Sequence, residues 1–197
     1  GLTASSASVS YVGISSLTAS NGILTLSSAA ISYVGISTVP KFIATINPGS
    51  VRLSTDSCVI SNSTNAMTNS LLCDDSSEEF VFWSTVLQPY RATTLSVDFN
   101  YTMLSATSGN LTLWAQMMCE SPGAAADLDT ASFATRVSST VAVAATAGFP
   151  RKATIALTND SCVQGDQLIL QFGRSGEQAG DTATGDVEIR PSIIYEP

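Results

Sequence analysis

Residues 94–104 read TLSVDFNYTML, and every second side chain is apolar: Leu95, Val97, Phe99 and Tyr101 fall on one face. Between them stand Ser96, Asp98, Asn100 and Thr102. Successive Cβ atoms of a strand point to opposite sides, so the pattern predicts a strand with one face in a core and the other turned outward. A half-buried strand of this kind belongs to an antiparallel sheet that packs on a second layer.

The rest of the chain supplies that layer. Leu168, Leu170 and Phe172 alternate in the same way, as do Val187, Ile189, Ile193 and Tyr195, where Pro191 suggests a sheet edge. Strands are expected at 41–46, 51–55, 80–87, 94–104, 111–119, 133–144, 151–158, 167–174 and 187–195. Turn signals separate them at Asn47-Pro48-Gly49, Ser108-Gly109-Asn110, Ser121-Pro122-Gly123, Gly148-Phe149-Pro150 and Gly165-Asp166. Only 124–131 and 74–80 read as short helices. This count predicts an all-β chain, an antiparallel β-sandwich of the jelly-roll type, over residues 40–197.

Residues 1–39 differ. The string SYVGIS occurs at Ser10–Ser15 and again at Ser32–Ser37, and residues 2–17 match 24–39 at 11 of 16 positions in a 22-residue repeat. Asn21-Gly22 is a type I′ hairpin signal, so this is read as a short repetitive β-hairpin segment. Two repeats bury little by themselves, so completion by further repeats, by symmetry mates or by a larger surface on which the segment lies is expected. The repeat-equivalent residues Tyr11, Gly13, Ile14, Tyr33, Gly35 and Ile36 are the expected assembly contacts. The chain starts inside a repeat, so the natural N-terminus is expected upstream.

Composition narrows the function. The 197 residues carry 16 Asp and Glu against 8 Lys and Arg, a net charge of −8, with no basic run; nucleic-acid binding is not expected. No apolar stretch approaches the length of a membrane span, so membrane insertion is not expected either. Ser and Thr number 52, which makes a hydroxyl-rich surface suited to close subunit packing. No histidine is present, which excludes Ser-His-Asp and Cys-His nucleophiles. Asp74, Asp75, Glu78 and Glu79 form the acidic cluster and read as a solvated segment rather than a catalytic pair. No cofactor and no metal is expected.

Cys58, Cys73, Cys119 and Cys162 show no CxxC spacing. A Cys58–Cys73 disulfide is one reading; four small buried thiols is the one favoured. Sequons stand at Asn62, Asn100, Asn110 and Asn159. Trp83, Tyr90 and Trp114 offer a sugar-stacking platform, although both tryptophans lie inside apolar strands, which favours core packing.

The stretch GDQLILQFGR, followed after a loop by DTATGDVEIRPSIIYEP, resembles a β-sandwich domain of tailed-bacteriophage virion appendages. Gly165, Asp166, Leu168, Leu170 and Arg174 carry the first part of the match. Asp181, Thr182, Gly185, Asp186 and Val187 carry the second, with Ile189, Ile193 and Tyr195 completing it. The resemblance is close over 165–196 and loose over 93–196. It implies a non-enzymatic structural protein on the virion exterior: a capsid decoration or short fibre, homotrimeric, anchored by its N-terminal repeats to capsid or tail proteins. Two alternatives stand beside it. One is a receptor-binding tip that holds a host surface glycan; the other is a secreted adhesion domain of non-viral origin. A calcium site from Asp181 and Asp186 is weighed against loop capping by the same residues, and capping is favoured.

Overall fold

The computed structural model describes residues 40–62, 69–88, 90–91, 93–124 and 131–197. The repeat, and with it Tyr11, Gly13, Ile14, Tyr33, Gly35 and Ile36, lies outside the described residues.

The alternation at 94–104 becomes a strand at Ser96–Met103, with Val97, Phe99 and Tyr101 turned into the core. In chain order the strands are β1 (Lys41–Ile46), β2 (Arg52–Leu53), β3 (Val59–Asn62), β4 (Asn69–Cys73), β5 (Glu78–Val86) and β6 (Ser96–Met103). Then come β7 (Asn110–Glu120), β8 (Val137–Ala142), β9 (Arg151–Ala156), β10 (Gln167–Ser175), β11 (Val187–Ile189) and β12 (Ser192–Glu196). They form a seven-stranded and a five-stranded sheet, and every pairing is antiparallel.

The order of the strands identifies the winding. β4, β11, β6 and β9 are neighbours in one sheet, and β5, β10, β7 and β8 are neighbours in the other. The chain changes sheet from β4 to β5 to β6 to β7, and again from β8 to β9 to β10 to β11. Two Greek keys interleaved in this way make a jelly roll. β3 extends the first sheet beyond β4, β12 and β1 widen it, and β2 pairs with β5 in the second. Inner side chains of both sheets share one core, in which Phe99 of β6 meets Phe172 of β10 with ring centroids 5.0 Å apart.

Several expectations need correction. The segment 74–80 is not a helix: the Asp74 carboxylate accepts the Ser76 N–H in a tight turn, and β5 begins at Glu78, paired with Ser175. The expected helix at 124–131 lies almost wholly outside the described residues. Strands β3 and β4 were not expected. Pro191 is not at a sheet edge, because β11 and β12 both run beside the central β6; it marks the break between them. Pro has no N–H for the ladder. Asn100 bridges the gap instead, donating its N–H to Ser192 Oγ (3.2 Å) and its amide to the Pro191 carbonyl (2.8 Å).

The four cysteines are not free thiols. Cys58–Cys73 and Cys119–Cys162 are disulfides, closing separations of 15 and 43 residues. The first joins the segment before β3 to the end of β4. The second ties the end of β7 to the loop before β10, where Asp160 also accepts the Cys119 N–H (3.0 Å). Each cross-link of this kind contributes about 2–4 kcal/mol, mainly by restricting the unfolded chain.

Candidate functional site

The run Phe80-Val81-Phe82-Trp83 is apolar on both faces of β5. Val81 and Trp83 enter the core, so Phe80 and Phe82 stand on the outer face of the five-stranded sheet. Phe80 meets Phe82 edge-on at 5.6 Å and Trp114 of β7 at 5.9 Å; Phe82 meets Phe133 at 6.2 Å. Gly173 of β10 lies in register between Phe80 and Trp114. A Cβ there would collide with the Glu79 carbonyl oxygen, so only glycine fits. With no side chain between them, the two rings close over the strand.

This aromatic strip leads into a groove of about 500 Å³ on the sheet, at the side where β2 forms its edge. Phe82, Ile169 and Met118 line its floor and Phe133 adds a wall; Arg52, Ser84 and Gln167 bring polar groups to it. Ser50 and Ser54 flank Arg52 on the β2 side. The volume is typical of a small-ligand site. No carboxylate is among the described residues that line it.

The three aromatic residues singled out from sequence do not form a platform. Trp83 borders the groove but packs into the core at 7% exposure. Tyr90 is buried, and its hydroxyl donates to the Thr93 carbonyl. Burial, and after it the charges of Glu196 and Asp166, raises its phenol above the ordinary range. Glu196 fixes this loop by accepting the Arg91 N–H (2.8 Å) and the Thr93 hydroxyl (3.0 Å). Trp114 lies on the outer face but is 2% exposed, because the Arg136 guanidinium covers its ring at 3.8 Å from the centroid. Arg136 is held there by Glu78 (2.8 Å) and Ser175. Phe82 and Phe133, which line the groove with Trp83, were missed. The signal was the break in alternation at Phe80–Trp83, which marks a strand covered on both sides.

Asp181 and Asp186 go to different partners. Arg174, fully buried, donates to both Asp181 oxygens (3.0 and 2.8 Å) and to the carbonyls of Ala183 (2.6 Å) and Gly185 (2.7 Å). Asp181 also accepts the Thr112 N–H (2.9 Å). Asp186 instead joins Asp74 and Asp75, with carboxylate oxygens within 4.8 Å of one another. Oxygen donors suit a hard cation such as calcium, which takes six to eight of them. Burial, with repulsion from Asp74 and Asp75, raises the Asp186 carboxyl; burial also raises Glu79. Asp74 is lowered by its hydrogen bonds with Ser76.

No protein-family model matches the chain, and no curated protein matches it by sequence. Solved structures of similar outline include carbohydrate-binding modules and glycoside hydrolases. A family 35 carbohydrate-binding module from an environmental isolate has a TM-score of 0.45 and 9% identity, over 77% of this chain and 92% of that one. A module of Cellvibrio mixtus lichenase 5A, solved with cellotriose, has a TM-score of 0.43 and 12% identity, over 79% and 98%. A family GH115 4-O-methyl-α-glucuronidase, BtGH115A, gives 0.45 and 9% over 80% of this chain but only 18% of that one. The jelly-roll assignment made above stands on strand order and register.

Proposed function

We propose that the sandwich is a non-enzymatic carbohydrate-binding module whose ligand lies in the groove on the outer face of the five-stranded sheet. One observation carries the reading: Phe82 on the floor and Phe133 on the wall stand beside the exposed side chains of Ser50 and Ser84, an amide and a guanidinium. Sugars present apolar C–H faces to aromatic rings and hydroxyls to polar side chains, so this mixture matches their chemistry. Glycoside hydrolysis uses a pair of carboxylates flanking the bond, and the described lining of the groove contains none. The two disulfides favour maturation in an oxidising setting, outside a reducing cytoplasm.

The test is a glycan panel against the full chain and its Phe82→Ala variant. The expected result is binding of at least one oligosaccharide class, weakened about tenfold or more by the variant, which loses stacking on the floor. An unchanged affinity in a folded Phe82→Ala protein would move the site elsewhere.

The 22-residue repeat favours a second, compatible reading of residues 1–39. It is the mark of a segment completed by other copies, as in a homotrimeric fibre or decoration on a virion. Light scattering on the full chain and on a chain starting at Pro40 tests it. A trimer lost with the repeat supports this reading, and monomers in both contradict it.

A further inference from the structure

We propose that the ligand of this groove is an acidic glycan, one bearing sugar carboxylates, and that Arg52 reads the charge. The proposal rests on the carbohydrate-binding reading above and narrows it.

The protein is acidic, with 16 Asp and Glu against 8 Lys and Arg. Most of its described basic side chains are consumed internally: Lys41, Arg136, Lys152, Arg174 and Arg190 all pair with carboxylates. Arg52 does not. It is exposed on β2, opposite Phe82 in register, and has neither a salt bridge nor a side-chain hydrogen bond among the described residues. It is also the one charged side chain among the described residues lining the groove. An acidic protein therefore keeps an acid-free groove with a single unneutralised guanidinium at it.

The planar fork of Arg matches a carboxylate through two parallel hydrogen bonds, which adds orientation to attraction. With Phe82 beneath the ring and the exposed side chains of Ser50, Ser84 and Gln167 in the same groove, a uronic-acid-type sugar meets an apolar face, neutral polar groups for its hydroxyls and a guanidinium for its carboxylate. The overall charge of −8 works against a polyanion at long range, so the preference must arise locally at Arg52. Salt screens both effects, and substitution at Arg52 separates them.

The experiment titrates the full chain with a panel of uronic-acid oligosaccharides, each beside its carboxyl-reduced form, by calorimetry. The expected result is that the acidic form binds about tenfold tighter or more, as a charge-assisted hydrogen-bond pair implies. Arg52→Gln erases that difference, bringing the acidic form down to the reduced one; Arg52→Lys keeps part of it. Thermal melting of Arg52→Gln should match the parent, since an exposed side chain on a two-residue strand contributes little to stability. Equal binding of the two forms by the parent, or an acid preference that survives in Arg52→Gln, overturns the proposal and leaves the carbohydrate-binding reading standing. Failure of every sugar in both forms, with neutral glycans also silent, overturns that reading and the proposal with it.

Discussion

The two outward faces of the sandwich are built from the same alternating strands and end in opposite chemistry. On the seven-stranded sheet, Asp98 accepts from Lys152 (2.8 Å), Thr154 (2.6 Å) and the Tyr195 hydroxyl (3.3 Å). Beside it, Glu188 accepts from Thr102 (3.0 Å) and Arg190 (2.9 Å). These charges answer one another across four strands and leave little for a ligand. On the five-stranded sheet the outward positions hold Phe80, Phe82 and Ile169, and the free guanidinium of Arg52 stands next to them. Side chains already satisfied within the fold make a wall; apolar rings beside an unsatisfied polar group make a site.

The contrast can be broken in graded ways. The largest effect should come from a residue that serves neither face. Arg174→Met leaves Asp181 buried without its partner and frees the loop 176–186, at a cost of about 3–5 kcal/mol. Urea denaturation measures this, and a loss under about 1 kcal/mol would mean that Arg174 does not hold that loop.

A smaller effect belongs to the polar face. Asp98→Ala strips the acceptor from Lys152, Thr154 and Tyr195 and should cost about 1–3 kcal/mol, with glycan affinity unchanged. A loss of glycan binding in the folded variant would erase the distinction between the faces. The pH dependence has a definite sign. Burial works to raise the Asp98 carboxyl, but the hydrogen bonds from Lys152 and Thr154 and the Lys152 charge outweigh it and hold it below the ordinary value of 3.8. The unfolded chain then binds the proton more readily, so the stabilisation is full above the ordinary range and is lost as pH falls through the lower native value. Parent and Asp98→Ala stabilities should converge in strong acid.

The smallest effect carries the opposite sign. Asp186 is raised, so its charge opposes folding above its native value and this penalty is relieved as pH falls through it. Asp186→Asn should raise stability at neutral pH by about 0.5 kcal/mol or less, with the gain vanishing in acid. A destabilised variant at neutral pH would show that the carboxylate makes a favourable contact that outweighs its repulsion from Asp74 and Asp75.

Much of the sandwich was legible because alternation reports burial on one face. β1 was placed to the residue, and β6, β7, β9 and β10 to within about two residues at each end, since a strand half in water leaves a period of two. β3 and β4 escaped because the stretch around Ser61–Ser70 is polar and β4 buries neighbouring side chains, Ser70 and Leu71, on both faces. The Cys58–Cys73 bond helps to hold that hairpin, and spacing alone does not fix cysteine pairing. Pro191 was misplaced because a proline reports a missing donor, not which neighbours its strand has. The groove was the least legible part. Arg52, Ser84 and Gln167 come from three strands that are neighbours only after the jelly roll has closed, and no local motif links them. Trp83 and Trp114 drew notice through size, yet the floor is Phe82, whose outward placement follows from the parity of Val81 and Trp83.

The central claim, that the outer face of the five-stranded sheet is the ligand face, is tested most directly by following backbone amide resonances of the full chain during titration with a bound oligosaccharide. The account predicts shifts concentrated at Arg52, Phe82, Ser84, Gln167 and Ile169, with Asp98, Thr154 and Glu188 unmoved. Shifts concentrated on the seven-stranded face, or around Asp74, Asp75 and Asp186 with the groove silent, would contradict it.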